Sequence, residues 1–217
     1  MVRERLILPL TIGGIAVSVL GLAVELVHMW SHADVVELLV GMFSLSYEQN
    51  VPTWYSSLLL AACAVSLAAI AQHAQERAAP FRRHWWVLAA GFTLMSLDEI
   101  AELHEHAGEL VHMGDAIYFD WIVPAAILVA VVGLAYLPFL RALPAPRRRE
   151  MIIAAALYLG GAVLMELPLG WWTARAGTDS AGYALIDWVE ESLEIAGASW
   201  FLLALGRRWD ERAEATP

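Results

Sequence analysis

The sequence contains no lysine and only one cysteine, and charged side chains make up just 17% of its 217 residues. The single cysteine, Cys63, excludes an intramolecular disulfide, so the fold cannot depend on one. A soluble domain of this length would carry roughly a quarter charged residues. No basic patch interleaved with aromatic residues is present, which argues against nucleic acid as a partner.

Apolar residues, in contrast, make up 59% of the chain and are gathered into long runs. A helix that crosses the hydrocarbon of a bilayer needs about 20 mostly apolar residues. Six stretches meet this length, and they predict an all-α polytopic membrane protein, a six-transmembrane-helix bundle in a single domain over residues 1–217. The predicted spans are 6–30, 54–72, 85–106, 121–140, 151–172 and 183–205.

The arginines predict how these spans are oriented. Twelve of the 13 arginines lie at the N-terminus, at the C-terminus or in the loops after the second and fourth spans, and only Arg175 does not. Because basic loops stay in the cytoplasm, both ends of the chain are predicted to be cytoplasmic. The first apolar run is longer than the roughly 7–15 residues of a signal peptide core, so it is predicted to be retained as a span.

One loop is long enough to hold a further element. Residues 31–53, between the first two spans, carry Val35, Leu38, Leu39 and Met42 at helical spacing. This pattern predicts a short amphipathic helix that lies on the outer membrane surface or dips into it.

Acidic residues are sorted to the side opposite the arginines. Of the 23 acids, 17 are predicted to lie in the outer loops or within the membrane, together with five histidines. A charge at the bilayer centre costs at least about 2.5–3.5 kcal/mol, so this concentration indicates a functional chamber. The helical period aligns the acids in stripes. The stripe in the third span is Asp98, Glu102, Glu105, Glu109 and His112, and the stripe in the sixth is Asp187, Glu190, Glu191 and Glu194.

Carboxylates crowded into one chamber repel each other and need metal cations, protons or water to compensate. Metal centres in helix bundles use carboxylates and imidazoles, often as Glu-x-x-His pairs, and Glu25 and His28 match this pair. Such ligands predict a divalent transition metal: iron, manganese or zinc. The predicted ligands are Glu25, His28, Asp98, Glu102, His104, Glu105, His106, Glu166, Glu190 and Glu194. The predicted catalytic acid–base residues are Asp98, Glu99, Glu105 and Glu191.

The leading hypothesis is therefore a membrane-embedded, metal-dependent enzyme with an outward-facing chamber, acting on a membrane lipid or another apolar small molecule. Two alternatives stay open. One is a non-enzymatic accessory or structural membrane subunit, and the other is a small proton or cation pathway. The apolar cytoplasmic half of every predicted span argues against a pathway, because no polar route continues to the arginine side.

Three segments resemble a family of bacterial multipass membrane proteins. They are LMSLDE at 94–99 with His104 and Glu105 shortly after it, EQNVPTWYSS at 48–57, and EESLEIAG at 190–197. The resemblance covers most of the chain and implies a six-span fold in the bacterial inner membrane. That family has no assigned activity, so expectations about chemistry rest on the residues themselves. With the arginine distribution, the chamber is predicted to face the periplasm.

Overall fold

The computed structural model describes residues 2–103, 106 and 122–214, and within these ranges the chain is helical and contains no strand. The expected all-α fold is confirmed. The helices are α1 (Val2–His28), α2 (Asp34–Phe43), α3 (Val51–Glu76), α4 (Arg82–Ala101), α5 (Ile122–Ala142), α6 (Ala145–Leu159), a π-helix π1 (Gly160–Met165), α7 (Glu166–Ala176) and α8 (Ala181–Glu214). The segments α6, π1 and α7 follow one another without a break.

Four helices in the described part of the chain are long and apolar enough to cross a membrane. They are Pro9–His28 within α1, α3, α5, and the continuous helix Ala145–Ala176. Their length and apolar composition are those of helices that cross a membrane. The helices α4 and α8 occupy the predicted third and sixth spans, but α4 contains two acids and α8 contains seven, and their crossing of the membrane stays a prediction.

The core of the bundle is centred on α3. Leu60, Cys63, Leu67 and Ile70 recur at helical spacing on one face and are at most 2% exposed. This face packs in one cluster with α8, where the buried residues include Ala198, Phe201 and Leu205. Asn50 starts α3 as a side-chain cap, because its Oδ1 accepts a 3.2 Å hydrogen bond from the Thr53 amide.

A reciprocal pair of serines joins α3 to α4. Ser57 Oγ donates to the Ser96 carbonyl oxygen at 2.8 Å, and Ser96 Oγ donates to the Ser57 carbonyl oxygen at 2.9 Å. Small hydroxyl side chains allow two helices in a membrane to approach closely and to satisfy each other's polar groups. The pair therefore holds α4, in which Asp98 and Glu99 follow Ser96 within one turn, against the core helix.

The start of α4 and the end of α5 meet in an aromatic cluster. Phe139 is 1% exposed and packs edge-to-face on Trp85, with ring centroids 4.9 Å apart. The Tyr136 hydroxyl donates a 2.9 Å hydrogen bond to the His84 carbonyl oxygen. Farther from this cluster α5 exposes apolar side chains such as Leu128 and Leu134, as expected for a helix in contact with lipid.

Two glycines allow the continuous helix α6–π1–α7 to pack closely on α8. A Cβ atom on Gly161 of π1 would lie 2.6 Å from the Glu190 carbonyl oxygen, and one on Gly197 of α8 would lie 2.5 Å from the Tyr158 amide nitrogen. Both distances are shorter than side-chain contacts allow, so only glycine permits this approach.

The end of α4 differs from the prediction. The sequence predicts a third span that continues to about His106, but α4 ends at Ala101. Glu102 takes a left-handed conformation (φ 51°, ψ 40°), which terminates the helix. The predicted stripe is therefore interrupted after Asp98. Glu105, Glu109 and His112 of this stripe, and the predicted ligand His104, lie outside the described residues.

Candidate functional site

The junction between α1 and α2 brings two histidines and a glutamate together. Helix α1 ends at His28, the chain turns, and α2 begins at Asp34. Val36 and Val40 of α2 pack against Val24 of α1 and are buried there. Because Glu37 follows Val36 in α2, this packing turns its carboxylate toward the end of α1.

Three ligand atoms converge at this junction. His28 Nε2 donates a 3.0 Å hydrogen bond to Glu37 Oε1, and His32 Nδ1 lies 3.3 Å from each of these two atoms. All three atoms are within 4.8 Å of one another, so the group could hold a metal ion. We call His28, His32 and Glu37 the junction triad. Its side chains are 26%, 73% and 51% exposed, respectively, which leaves the site open to solvent.

The electrostatics of the junction triad favour an ionised carboxylate. The hydrogen bond from His28 lowers the pKa of Glu37, and the hydrogen bond from His32 and the charges of both imidazoles lower it further. A divalent cation held by His28 Nε2 and Glu37 Oε1 would take the place of the proton between them, because metal ligands must be deprotonated. The carboxylate is already in its metal-binding form at neutral pH.

A second group of polar side chains lies between α7 and α8. Glu166, the first residue of α7, is 8% exposed, and Asp187 and Glu190 of α8 are 8% and 6% exposed. The Glu190 carboxyl interacts electrostatically with Glu166, Asp187 and Glu194. We call Glu166, Asp187, Glu190 and Glu194 the core carboxylates.

The core carboxylates continue toward α4 and α6. Glu191 interacts electrostatically with Glu194 and with Glu99 of α4, and the Tyr158 hydroxyl of α6 donates a hydrogen bond to Glu194. Glu99, Tyr158 and Glu194 line a small cleft, closed on its other sides by side chains of α3 and α8. The cleft has room for about one water molecule.

Glu25 lies between the two groups. Its Oε1 accepts a hydrogen bond from the Ser44 hydroxyl, a side chain with no exposed surface at the end of α2. Asp187 interacts electrostatically with Glu25. Acidic side chains therefore extend from the junction of α1 and α2 toward the middle of α8.

The sequence matches one family model, which describes a domain of unknown function, DUF8692, over residues 13–209. The chain belongs to the DUF8692 family. Comparison with curated proteins and with solved structures found no match. The matched range of the DUF8692 domain contains the junction triad and all of the core carboxylates.

Several residues predicted as site residues do lie together in this DUF8692 domain. Four helices bring Glu99, Glu166, Glu190, Glu191 and Glu194 into one group with Tyr158. Among the residues that the structure describes, no three of their carboxylate oxygens lie as close together as the three ligand atoms of the junction triad. The predicted roles of these residues as metal ligands or acid–base groups stay predictions.

Other predicted site residues of the DUF8692 domain are placed apart. Glu102 Oε1 accepts a 2.6 Å hydrogen bond from Gln49 Nε2, and His106 Nδ1 lies 2.7 Å from the Glu102 carbonyl oxygen. Asp98 is half-buried on α4, two residues after Ser96. Glu25 Oε1 accepts a hydrogen bond from the Ser44 hydroxyl and is not one of the three ligand atoms that converge in the junction triad.

Two residues of the junction triad are absent from the ligands predicted from sequence. His32 stands four residues after His28, a spacing that metal-binding histidine pairs use, and this signal was available. Glu37 could not be predicted as a ligand from the sequence, because its approach to His28 depends on how α2 folds back on α1. Nothing in the spacing of nine residues between them predicts contact.

Proposed function

We propose that this protein is a membrane-embedded, metal-dependent enzyme whose divalent transition metal is held by the junction triad. The convergence of His28 Nε2, His32 Nδ1 and Glu37 Oε1 carries the proposal. Metal bonds of about 2.0–2.1 Å at tetrahedral angles place neighbouring ligand atoms about 3.3 Å apart. The distances in the triad are 3.0, 3.3 and 3.3 Å, so a metal needs little rearrangement.

Two imidazoles and one carboxylate suit zinc, iron or manganese. Three protein ligands leave at least one coordination position open, as in catalytic rather than structural zinc sites. A metal bound there would polarise a substrate oxygen or lower the pKa of a bound water. The contribution of this chain is to hold the three ligand atoms and, through the hydrogen bond between His28 and Glu37, to keep the carboxylate ionised.

Apolar side chains around the junction triad favour a lipid or another apolar molecule as substrate. Trp30 is 88% exposed directly after α1, and Val35 and Leu38 of α2 are each 62% exposed. Exposed apolar residues on a membrane protein contact lipid, and tryptophan is enriched at the interface. A triad surrounded in this way would meet the head groups of lipids that lie beside it.

We also propose a location for the site. In this proposal the chain crosses the bacterial inner membrane six times, with both ends in the cytoplasm and the junction triad on the periplasmic side. The arginine distribution supports this orientation, because 12 of 13 arginines lie at the chain ends or in the loops predicted to be cytoplasmic.

Metal binding by purified protein tests the proposal. We expect detergent-solubilised protein to bind Zn²⁺ or Co²⁺ at one equivalent per triad, and His28→Ala, His32→Ala and Glu37→Gln to weaken binding by on the order of 10–100-fold or more. Asp34→Asn is the matched control, since it removes an exposed acid of α2 outside the triad. Equal binding by the control and the triad variants would exclude this site.

Catalysis is then tested with the metal-loaded and metal-free protein in phospholipid nanodiscs, with products followed by mass spectrometry. Metal-dependent appearance of a lipid product, lost in His28→Ala and kept in Asp34→Asn, supports the enzyme. Metal binding without any change in the lipids would favour the accessory subunit or the cation pathway.

A further inference from the structure

We infer that a groove at the arginine-rich end of the bundle binds one anionic phospholipid, with the lipid phosphate at Arg147 and Arg207 and an acyl chain along an apolar floor. The groove shares no residue with the junction triad, so the inference is independent of the proposed enzyme. We call it the basic groove. It lies between α4, α6 and α8, and its lining includes Trp85, Arg147, Glu150, Met151, Phe201 and Leu205.

The floor of the basic groove is apolar. Trp85 of α4 and Phe201 and Leu205 of α8 are buried, and Met151 of α6 is half-buried beside them. Ligand sites of this kind are lined mainly by apolar and aromatic side chains, with a few polar groups that fix the orientation of the ligand. The floor therefore suits a hydrocarbon chain.

The polar groups of the basic groove lie together at one end of this floor. Helices α6 and α8 run antiparallel, because Tyr158 of α6 packs against Gly197 of α8 and the start of α6 meets the end of α8. Arg147 precedes the apolar part of α6, and Arg207 follows the apolar part of α8. An amphipathic ligand, with a charged head and an apolar chain, matches this division.

Arg207 keeps donors for a ligand. Its Nη1 donates to the Glu150 carboxylate, whereas its Nε is buried and has no hydrogen-bond partner among the described residues. A guanidinium group carries five N–H donors in one plane, so it can bind a carboxylate on one edge and a phosphate on another. The Arg207 side chain is 39% exposed, which leaves it accessible from outside the bundle.

The helix ends that meet around the basic groove are rich in arginine. Trp85 packs on Phe139, so the end of α5 joins the starts of α4 and α6 and the end of α8 there. Residues 81–92, 136–151 and 201–207 at these ends contain seven arginines and one acid, Glu150. Basic pockets between membrane helices bind anionic head groups, and a zwitterionic lipid, which has no net charge, gains less from the arginines.

The position of the arginines in α6 also favours a bound anion. Arg147, Arg148 and Arg149 lie near the N-terminal end of this helix, which has no acid in its first turn and no side-chain cap. Positive charge is unfavourable at a helix N-terminus because it opposes the helix dipole. Stabilisation of α6 therefore does not account for these arginines, and a phosphate at Arg147 would offset their repulsion.

Native mass spectrometry of the full-length protein in detergent tests the inference. The probes are phosphatidylglycerol and phosphatidylcholine with identical acyl chains. The protein is treated with chelator, so that a lipid held through a metal in the junction triad is not counted. We expect the wild type to bind one phosphatidylglycerol with roughly tenfold higher affinity than phosphatidylcholine.

Two arginine variants locate the head group. Arg147→Gln should weaken phosphatidylglycerol binding by about fivefold. Arg207→Gln should do the same in the Glu150→Gln background, where its removal leaves no unpaired carboxylate. Arg83→Gln is the matched control, because Arg83 is exposed at the start of α4 and does not line the basic groove.

A third variant locates the acyl chain. Ala204→Phe should fill the basic groove and weaken the binding of both lipids, because Ala204 also lines it. Gly206→Phe is its control, since a Cβ atom there meets nothing within 4 Å. Circular dichroism confirms that each variant is folded.

Three results would overturn the inference. Equal weakening by Arg83→Gln and Arg147→Gln would mean that the arginines attract lipid only through their summed charge. Equal binding by Ala204→Phe and Gly206→Phe would mean that no acyl chain enters the basic groove. Equal affinity of the wild type for the two lipids would leave the groove to another acidic partner, such as an acidic protein segment.

Discussion

Gly161 of π1 packs directly against the backbone of Glu190 in α8. A Cβ atom at position 161 would lie 2.6 Å from the Glu190 carbonyl oxygen and 3.3 Å from the Glu194 amide nitrogen. Backbone atoms cannot move aside as the end of a flexible side chain can. The spacing between the two helices, and with it the position of Glu166 relative to α8, therefore depends on the hydrogen atom of this glycine.

Gly161→Ala should lower the free energy of unfolding by about 1–3 kcal/mol, the usual cost of overpacking. Gly160→Ala is the matched control, because it lies in the same π-helix and a Cβ there meets nothing within 4 Å. The measurement is unfolding of detergent-solubilised protein, followed by circular dichroism. Equal stability of the two variants would show that π1 and α8 are not packed this closely.

The affinity of the junction triad for Zn²⁺, measured from about pH 5 to 8, should rise with pH, because protons compete with the metal for its ligand atoms. At the acid end of this range, the logarithm of the affinity for Zn²⁺ should rise by up to about two per pH unit in the wild type and by about one per pH unit in His32→Ala. The lowered pKa of Glu37 keeps its carboxylate ionised over this range. Glu37→Gln should therefore weaken binding at every pH without changing the slope.

Competition with a chromophoric chelator at several pH values measures this dependence. Asp34→Asn should follow the wild type throughout. A pH-independent affinity would mean that the histidines do not bind the metal.

Ser57→Ala and Ser96→Ala should each lower the free energy of unfolding by about 0.6–2 kcal/mol, the range for hydrogen bonds between membrane helices. The two hydroxyl oxygens are also 3.1 Å apart, so a double-mutant cycle should show coupling between them. Ser66→Ala, on the same helix but outside this pair, serves as the control. If all three single variants unfold alike, the reciprocal pair does not stabilise the contact between α3 and α4.

A cysteine at Thr178 should react with a membrane-impermeant maleimide in intact cells, whereas one at Ala145 should react only after permeabilisation. Both positions are exposed. Ala145 is the first residue of the continuous helix Ala145–Ala176, and Thr178 lies two residues beyond its other end. The wild-type protein is its own blank, since Cys63 has no exposed surface. Labelling of both from the same side would contradict a membrane crossing by this helix, and the reverse pattern would contradict the proposed orientation.

Local patterns in the sequence were sufficient to predict the helices and their apolar or acidic character. The third span was predicted to continue to about His106, because the apolar and acidic pattern shows no break at Glu102, whereas the end of α4 depends on the backbone conformation of that residue. The π turn after Leu159 was not predictable either, because no residue pattern distinguishes it from an ordinary helical turn.

The residues of the candidate sites were also predictable from the sequence only in part. The helical period alone aligned Glu190, Glu191 and Glu194 on neighbouring turns, and the core carboxylates contain two of these residues. The partners across the helix interfaces, such as Glu166 with Glu190 and Tyr158 with Glu194, required the packing of α6–π1–α7 on α8.

The amino-acid sequence alone determined that this chain is helical, that it has the apolar runs of a membrane protein, and that its acids and arginines are kept apart. These properties follow from composition and from the period of 3.6 residues, which act over one or two helical turns. The tertiary structure decided which acids lie near one another and which glutamate meets His28. Those contacts depend on the reversal between α1 and α2 and on how closely two helices pack, and distances across a bundle are set by packing rather than by spacing along the chain.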